Sequence, residues 1–154
     1  MVSVDDRFFP TSADIEAIVR VCNEPLVYRF LFRDRIGGRP YVAQDARDFL
    51  AWARKGWISG EQMVFLLRDL RGVIAAAIDL GALDESRAAL IGYWCSSFHG
   101  GLMTNTVDRL AELALDAGVG SGRAKRDIEG GKEEVVFPLP AVITAQKGLN
   151  EPRY

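Results

Sequence analysis

The stretch ALIGYWCSSFHGGLMTNT, Ala89 to Thr106, decides how this chain is read. With Ala88 in front, it reads as an apolar strand stopping at Trp94, a short polar turn, and Gly100-Gly101 feeding a helix start. Thr104 is the expected N-cap, and Val107, Leu110, Ala111 and Ala114 form the stripe expected to face inward, with Gly118 as the stop. A strand running through glycines into a helix N-terminus presents bare N–H groups that can hold phosphate, and the helix dipole favours the anion. The plain alternative is a glycine-containing connection with no ligand, since a short glycine motif alone is weakly specific.

Upstream, the chain supplies scaffold for that turn. Arg7 to Phe9 is expected to close a short first strand. Thr11 with Asp14 three residues later matches a capping box, and Ile15, Ile18, Val19 and Cys22 follow at helical spacing. Pro25 ends that helix, because proline disfavours helical geometry in the residue before it. An apolar aromatic run (Leu26 to Phe32) and a Gly37–Pro40 loop lead to a second helix, about Gln44 to Lys55, with Ala46, Phe49, Leu50 and Ala53 inside and Gly56 as its stop. Gln62–Arg68 and Val73–Leu80 read as strands around the turn Asp69–Gly72, and Ala88–Trp94 as a third. Two helices, three antiparallel strands and a further helix make an α+β fold rather than a βαβ repeat.

The chain's 154 residues fit one domain with a real core. A net charge of −2 gives no electrostatic footing for nucleic acid, and RAKR at 123–126 sits among glycines as a solvated run. The start, MVSVDDRFF, lacks the apolar core of a secretory signal, and the best apolar run is broken by Asp79, so no membrane span is expected. Cys22 and Cys95 form no CxxC pair and read as reduced thiols of a cytoplasmic protein. His99 is the single histidine, with no ligand set around it, so no metal is expected. Cys95 lacks an activating partner and reads as packing, as do Trp52, Trp57, Tyr28, Phe30 and Phe32.

IGYW, then HGGLMTNT, then VDRLAELALDAG resembles the acetyl-CoA-binding core of the GNAT acetyltransferases, in particular the branch acting on protein N-termini and small amines. NEPLVYRFLF, DFLAWARKGW and VFLLRDLRGVIAAAIDL follow the same family in order, so the resemblance covers about residues 9–118. It implies a GNAT-like mixed sheet and transfer of acetyl from acetyl-CoA to a primary amine, either a protein N-terminus or a small molecule. It places backbone contacts to the pantetheine arm at Tyr93, Trp94 and Cys95, and pyrophosphate contacts at His99, Gly100, Gly101, Leu102, Met103 and Thr104. His99-Gly100-Gly101 is one residue shorter than the common family pattern. A carboxylate is the usual base in such a transfer. By placement the candidates are Asp79 and Glu85, against the plain reading of a solvated acid.

The family continues with a parallel strand, an asparagine-containing turn, a helix carrying a tyrosine that protonates the leaving thiolate, and a hairpin, none of which is legible here. Instead GVGSGRAKRDIEGGK reads as a linker or long hairpin, with strands at Glu134–Phe137 and Ala141–Ala145 after it. The stretch 129–154, with PLPAVITA and GLNEPRY, resembles part of the electron transfer flavoprotein β subunit. The expected organisation is therefore an incomplete acetyl-CoA-binding domain (1–118), a glycine-rich linker (119–133) and a strand-containing tail (134–154), with the C-terminal half of the fold incomplete or replaced and activity impaired accordingly. A non-catalytic interaction module or a flavoprotein-β-like fragment is the alternative, and an exposed strand edge would support homo-oligomers.

Overall fold

In the computed structural model, residues 1–81, 91–116, 121–128 and 131–138 are described. The elements run β1 (Val2–Ser3), α1 (Ser12–Cys22), a short α2 (Pro25–Val27), a π-helical turn at Tyr28–Phe32, α3 (Ala43–Ser59), β2 (Gln62–Arg68), β3 (Ile74–Gly81), β4 (Ile91–Cys95), α4 (Leu102–Asp116), β5 (Ser121–Ile128) and β6 (Gly131–Pro138). β1 to β4 form one antiparallel sheet in chain order, and β5 pairs with β6 as a separate hairpin. The architecture is α+β, as the pattern of elements predicts.

The sheet has two covered faces because opposed residues of antiparallel strands share a face and alternate along it. On one face Val64, Leu66, Ala77 and Trp94 meet Ile18, Val21, Leu50 and Ala53 from α1 and α3. On the other, Leu67, Ala76 and Ile78 meet Leu110 of α4, with Leu102, Met103 and Val107 packed alongside. Burial of both faces is what fixes the pairing register, since a one-residue slip would exchange the side chains of the two faces and mismatch each set with the helices packed on it.

α1 starts as its sequence predicts. Thr11 Oγ1 accepts the Asp14 N–H at 3.2 Å, and the Asp14 carboxylate accepts the Thr11 N–H at 3.0 Å. Asp14 also binds Arg68 of β2 at 2.8 Å, tying the helix start to the sheet. The β2–β3 turn closes as expected: Asp69 Oδ1 accepts the N–H groups of Arg71 and Val73, each at 2.9 Å, and Gly72 takes φ +80°.

Three local expectations are corrected. The first strand is Val2–Ser3, not Arg7–Phe9, because Asp5 accepts the Arg7 N–H at 2.9 Å and turns the chain there. α3 runs past Gly56 to Ser59 and ends at Gly60, whose φ of +73° is the left-handed stop; Gly56 is a buried packing position inside the helix. α4 begins at Leu102, so Thr104 lies in its first turn and is not the cap. Of the two readings of the glycine-rich segment, a linker or a long hairpin, the hairpin is the one seen: the segment contributes β5 and the start of β6. Glu85, Ala88–Leu90, Gly118 and the strand expected at Ala141–Ala145 lie outside the described residues.

Candidate functional site

β4 is the last strand of its sheet, with β3 on one side and no partner on the other among the described residues. The Ser96 N–H donates to Ala75 O at 2.8 Å, which sets which β4 peptide groups face β3. By strand alternation those of Gly92 and Trp94 also point to β3, while those of Tyr93 and Cys95 point to the open edge. The Trp94 side chain is buried, edge-on to Phe49 of α3 with ring centroids 6.1 Å apart. Of the three strand positions expected to meet a ligand, Tyr93 and Cys95 turn their backbone groups away from β3, and Trp94 turns its own toward β3 and its side chain into the core.

After β4 the chain turns through Ser96–Gly101. The His99 N–H donates to Ser96 O at 3.2 Å, and Leu102 N–H to His99 O at 3.4 Å. Gly101 takes φ +78°, a conformation open to glycine at little steric cost. The amides of Gly100, Gly101, Met103 and Thr104 have no backbone acceptor among the described residues. A Cβ placed on Gly100 or Gly101 would meet nothing within 4 Å, so the space beside these amides is open. Leu102 and Met103 pack their side chains against the α4 core, and of the two only the Met103 amide is left without a backbone acceptor among the described residues. The cradle has the composition a phosphate needs: adjacent N–H groups at the positive end of a 15-residue helix.

The His99 side chain turns back toward the β2–β3 turn, with Nε2 3.6 Å from Asp69 Oδ2 and Nδ1 buried without a partner. The imidazole thus lies beside the β2–β3 turn without a hydrogen bond to it. Cys95 is half-buried; burial pushes its thiol above the usual value, and the Glu24 charge adds to that. A thiol so shifted is a poor nucleophile, in line with its reading as packing.

Asp79 lies on β3 directly opposite Val64 and Gly92, on the face covered by α1 and α3. Burial raises its carboxyl above the ordinary value, and a hydrogen bond from Gln62 Nε2 offsets part of the rise. Gly92 makes room for it: a Cβ there would stand 2.6 Å from Asp79 Oδ1. Asp79 is thus a half-buried acid with a raised affinity for protons beside the open-edge strand, a suitable acceptor in acid–base chemistry.

Sequence reading missed Glu24. Its carboxylate is buried and accepts hydrogen bonds from Ser96 Oγ at 2.7 Å, Ser97 N at 2.6 Å and Ser97 Oγ at 2.9 Å. Nothing local links it to a turn 72 residues away. The role of Gly92 was also invisible, because it depends on cross-strand register.

Comparison with solved structures follows this geometry. The microcin C7 self-immunity acetyltransferase MccE, crystallised with acetyl-CoA and AMP, superposes with a TM-score of 0.63 at 18% identity, over 82% of this chain and 73% of that one. The ribosomal L7/L12 α-N-protein acetyltransferase RimL, in complex with coenzyme A, gives a TM-score of 0.61 at 16% identity, over 79% and 70% of the two chains. A GNAT-family acetyltransferase from Bacillus anthracis gives 0.53 at 14% identity, over 76% and 66%. The fold is that of the GNAT acetyltransferases. No protein-family model matches the chain. The electron transfer flavoprotein subunit beta of Bacillus subtilis (strain 168) is 58% identical over 49 residues, a longer stretch than 129–154. That match takes in 32% of this chain and spans 17% of the length of that subunit. Among the described residues, no helix is long and apolar enough to cross a membrane, and no cluster of three or more His, Cys, Asp and Glu could hold a metal.

Proposed function

We propose that this chain is a GNAT-type N-acetyltransferase that binds acetyl-CoA along β4 and α4 and transfers its acetyl group to a primary amine, a protein N-terminus or a small molecule. The observation that carries the reading is the order of the site: the β4 edge at Tyr93 and Cys95, unpaired among the described residues, leads through the Ser96–His99 turn to the free amides of Gly100, Gly101, Met103 and Thr104. Such an edge suits the amide-bearing pantetheine arm, and the helix N-terminus suits the pyrophosphate. MccE and RimL, which share the fold, were solved with acetyl-CoA and coenzyme A respectively.

The thioester would supply an activated acetyl carbonyl. The chain's own tasks are to hold the amine against it, to donate an N–H from the β4 edge to the developing oxyanion, and to accept the amine's proton. Among the described residues Asp79 is the base we assign, because burial raises its proton affinity; Glu85 remains its rival from the sequence. The two free cysteines suit a cytoplasmic setting. The reading includes no nucleic-acid or membrane partner and allows self-association through the β4 edge.

The test is a thermal titration with acetyl-CoA followed by an assay of thiol release with spermidine and an N-terminal peptide. At a hundredfold excess over Kd, a ligand specific for the folded state adds ~2.7 kcal/mol of stability. For a chain of this size that is a rise in Tm of roughly 5–10 °C. A flat melting curve at millimolar acetyl-CoA would remove the reading.

The match to the flavoprotein subunit favours a second reading, a non-catalytic interaction module. It expects self-association or partner binding that survives bulky replacements at Gly100 and Gly101. Loss of all measurable function on those replacements counts against it.

A further inference from the structure

Glu24 stands at the N-cap of α2 yet makes no cap bond to that helix. Its carboxylate points across to the end of β4 and takes three donors there, two from Ser97 and one from Ser96. Ser96 Oγ in turn accepts the Phe98 N–H at 3.3 Å. No ion pair to Glu24 is present among the described residues, so hydrogen bonds alone compensate its burial.

This network divides the turn in two. The Ser96 N–H goes to Ala75, Ser97 N–H to Glu24, Phe98 N–H to Ser96 Oγ and His99 N–H to Ser96 O. Every amide from 96 to 99 is therefore spoken for, and the amides free for a ligand begin at Gly100. Without Glu24, the Ser97 amide loses its acceptor and Ser96 Oγ loses the bond that orients it toward Phe98. The turn could then rotate, and the free amides that follow it would lose their fixed orientation.

We infer that Glu24 is a positioning residue that fixes the Ser96–His99 turn, so that the amides of Gly100, Gly101, Met103 and Thr104 form a preorganised cradle for the pyrophosphate of coenzyme A. The inference rests on the acetyl-CoA reading for its ligand, but not for the clamp itself. It acts through reach, not through charge, because a carboxylate beside a phosphate site would otherwise only repel it.

Two variants separate reach from charge and keep a polar group in place. Glu24→Gln retains the reach and an acceptor oxygen, and its amide can donate to Ser96 Oγ. Glu24→Asp retains the charge but withdraws the carboxylate by one C–C bond. Two readouts are taken on the whole chain: amide hydrogen exchange at Ser97 and Phe98 without ligand, and Kd for coenzyme A and for pantetheine, which lacks the phosphates. Expected for Glu24→Asp is faster exchange at those two amides with β2 and β3 still protected. Its coenzyme A affinity should fall about tenfold, the effect of roughly one charge-assisted hydrogen bond, with pantetheine affinity within about twofold of wild type. Glu24→Gln, which keeps the reach but gives up the charge assistance, should lose less than Glu24→Asp in both readouts.

Unchanged exchange and unchanged coenzyme A affinity in Glu24→Asp would overturn the proposal. So would a larger loss in Glu24→Gln than in Glu24→Asp, which would make charge the cause. Equal losses for coenzyme A and pantetheine would also overturn it, since they indicate a general structural effect. If the wild type binds no coenzyme A while Glu24→Asp still frees Ser97 and Phe98, the acetyl-CoA reading fails and the clamp on the turn stands.

Discussion

Gly101 and Gly100 are neighbours in sequence but should respond oppositely to alanine. At Gly101 the backbone has φ +78°, and an added Cβ meets no atom within 4 Å, so the penalty comes from the local backbone alone. An L-residue in that left-handed region costs ~1–2 kcal/mol. Replacing glycine also restricts the unfolded chain, which returns ~0.4–1 kcal/mol. The net for Gly101→Ala is a loss of about 1 kcal/mol, or a Tm lower by roughly 2–4 °C. Gly100 has no positive φ and equally open space, so Gly100→Ala should gain ~0.4–1 kcal/mol. Both methyl groups would occupy space beside the free amides and weaken acetyl-CoA, so Gly100→Ala separates stability from binding by raising one and lowering the other. Gly101→Asn should recover part of the loss, since asparagine tolerates the left-handed region. Urea denaturation gives the stabilities and calorimetric titration with acetyl-CoA gives the affinities. Gly101→Ala as stable as Gly100→Ala would refute the reasoning.

Other consequences are equally direct. Gly56→Ala should destabilise despite alanine's better helix propensity of ~1 kcal/mol, because its Cβ would stand 2.9 Å from Gln62 Cβ and 3.0 Å from Gln62 O; overpacking of this kind costs ~1–3 kcal/mol, and a stabilised variant in urea melts would contradict that packing. Asp79 has a raised carboxyl pKa, so it binds its proton more tightly folded than unfolded, and stability must fall as pH rises from the unfolded value through the folded one. Asp79→Asn should remove that slope and be at least as stable as wild type at neutral pH, while lowering transfer activity; an unchanged activity would dismiss it as the base. At Asp14 burial pushes the carboxyl up, but hydrogen bonds from Arg68 and Thr11 prevail and hold it below the usual range. Its contribution is complete above the ordinary carboxylate value and is lost as pH falls through the folded one, so Asp14→Ala should flatten the acid limb of the stability curve below about pH 4.

The parts legible in the sequence are those whose causes lie within a few residues. Thr11 and Asp14 satisfy each other's backbone groups, so the start of α1 could be read from four letters. Asp69 and Gly72 close the β2–β3 turn in the same way. The stop of α3 was misplaced for a physical reason. Gly56 and Gly60 are equally good stops by composition, and the difference is that Trp57 continues the buried side, its Nε1–H reaching Val64 O at 2.9 Å. The start of α4 was misplaced similarly, because Gly101 supplies the turn and a threonine cap is not used.

At the site the same division holds. The sequence by itself determined the glycine pair, the helix behind it and the strand before it, since spacing and conformational preference are local properties. Which of these peptide groups face away from β3 was decided only by tertiary structure: the register turns Tyr93 and Cys95 to the other edge and sends Trp94 into the core against Phe49. The carboxylate that holds the turn comes from Glu24, and the glycine that admits Asp79 is Gly92 on the neighbouring strand. Hydrogen bonds and close contacts between distant residues depend on how helices and strands pack, and that geometry follows from burial of the whole sheet, not from any short stretch of it.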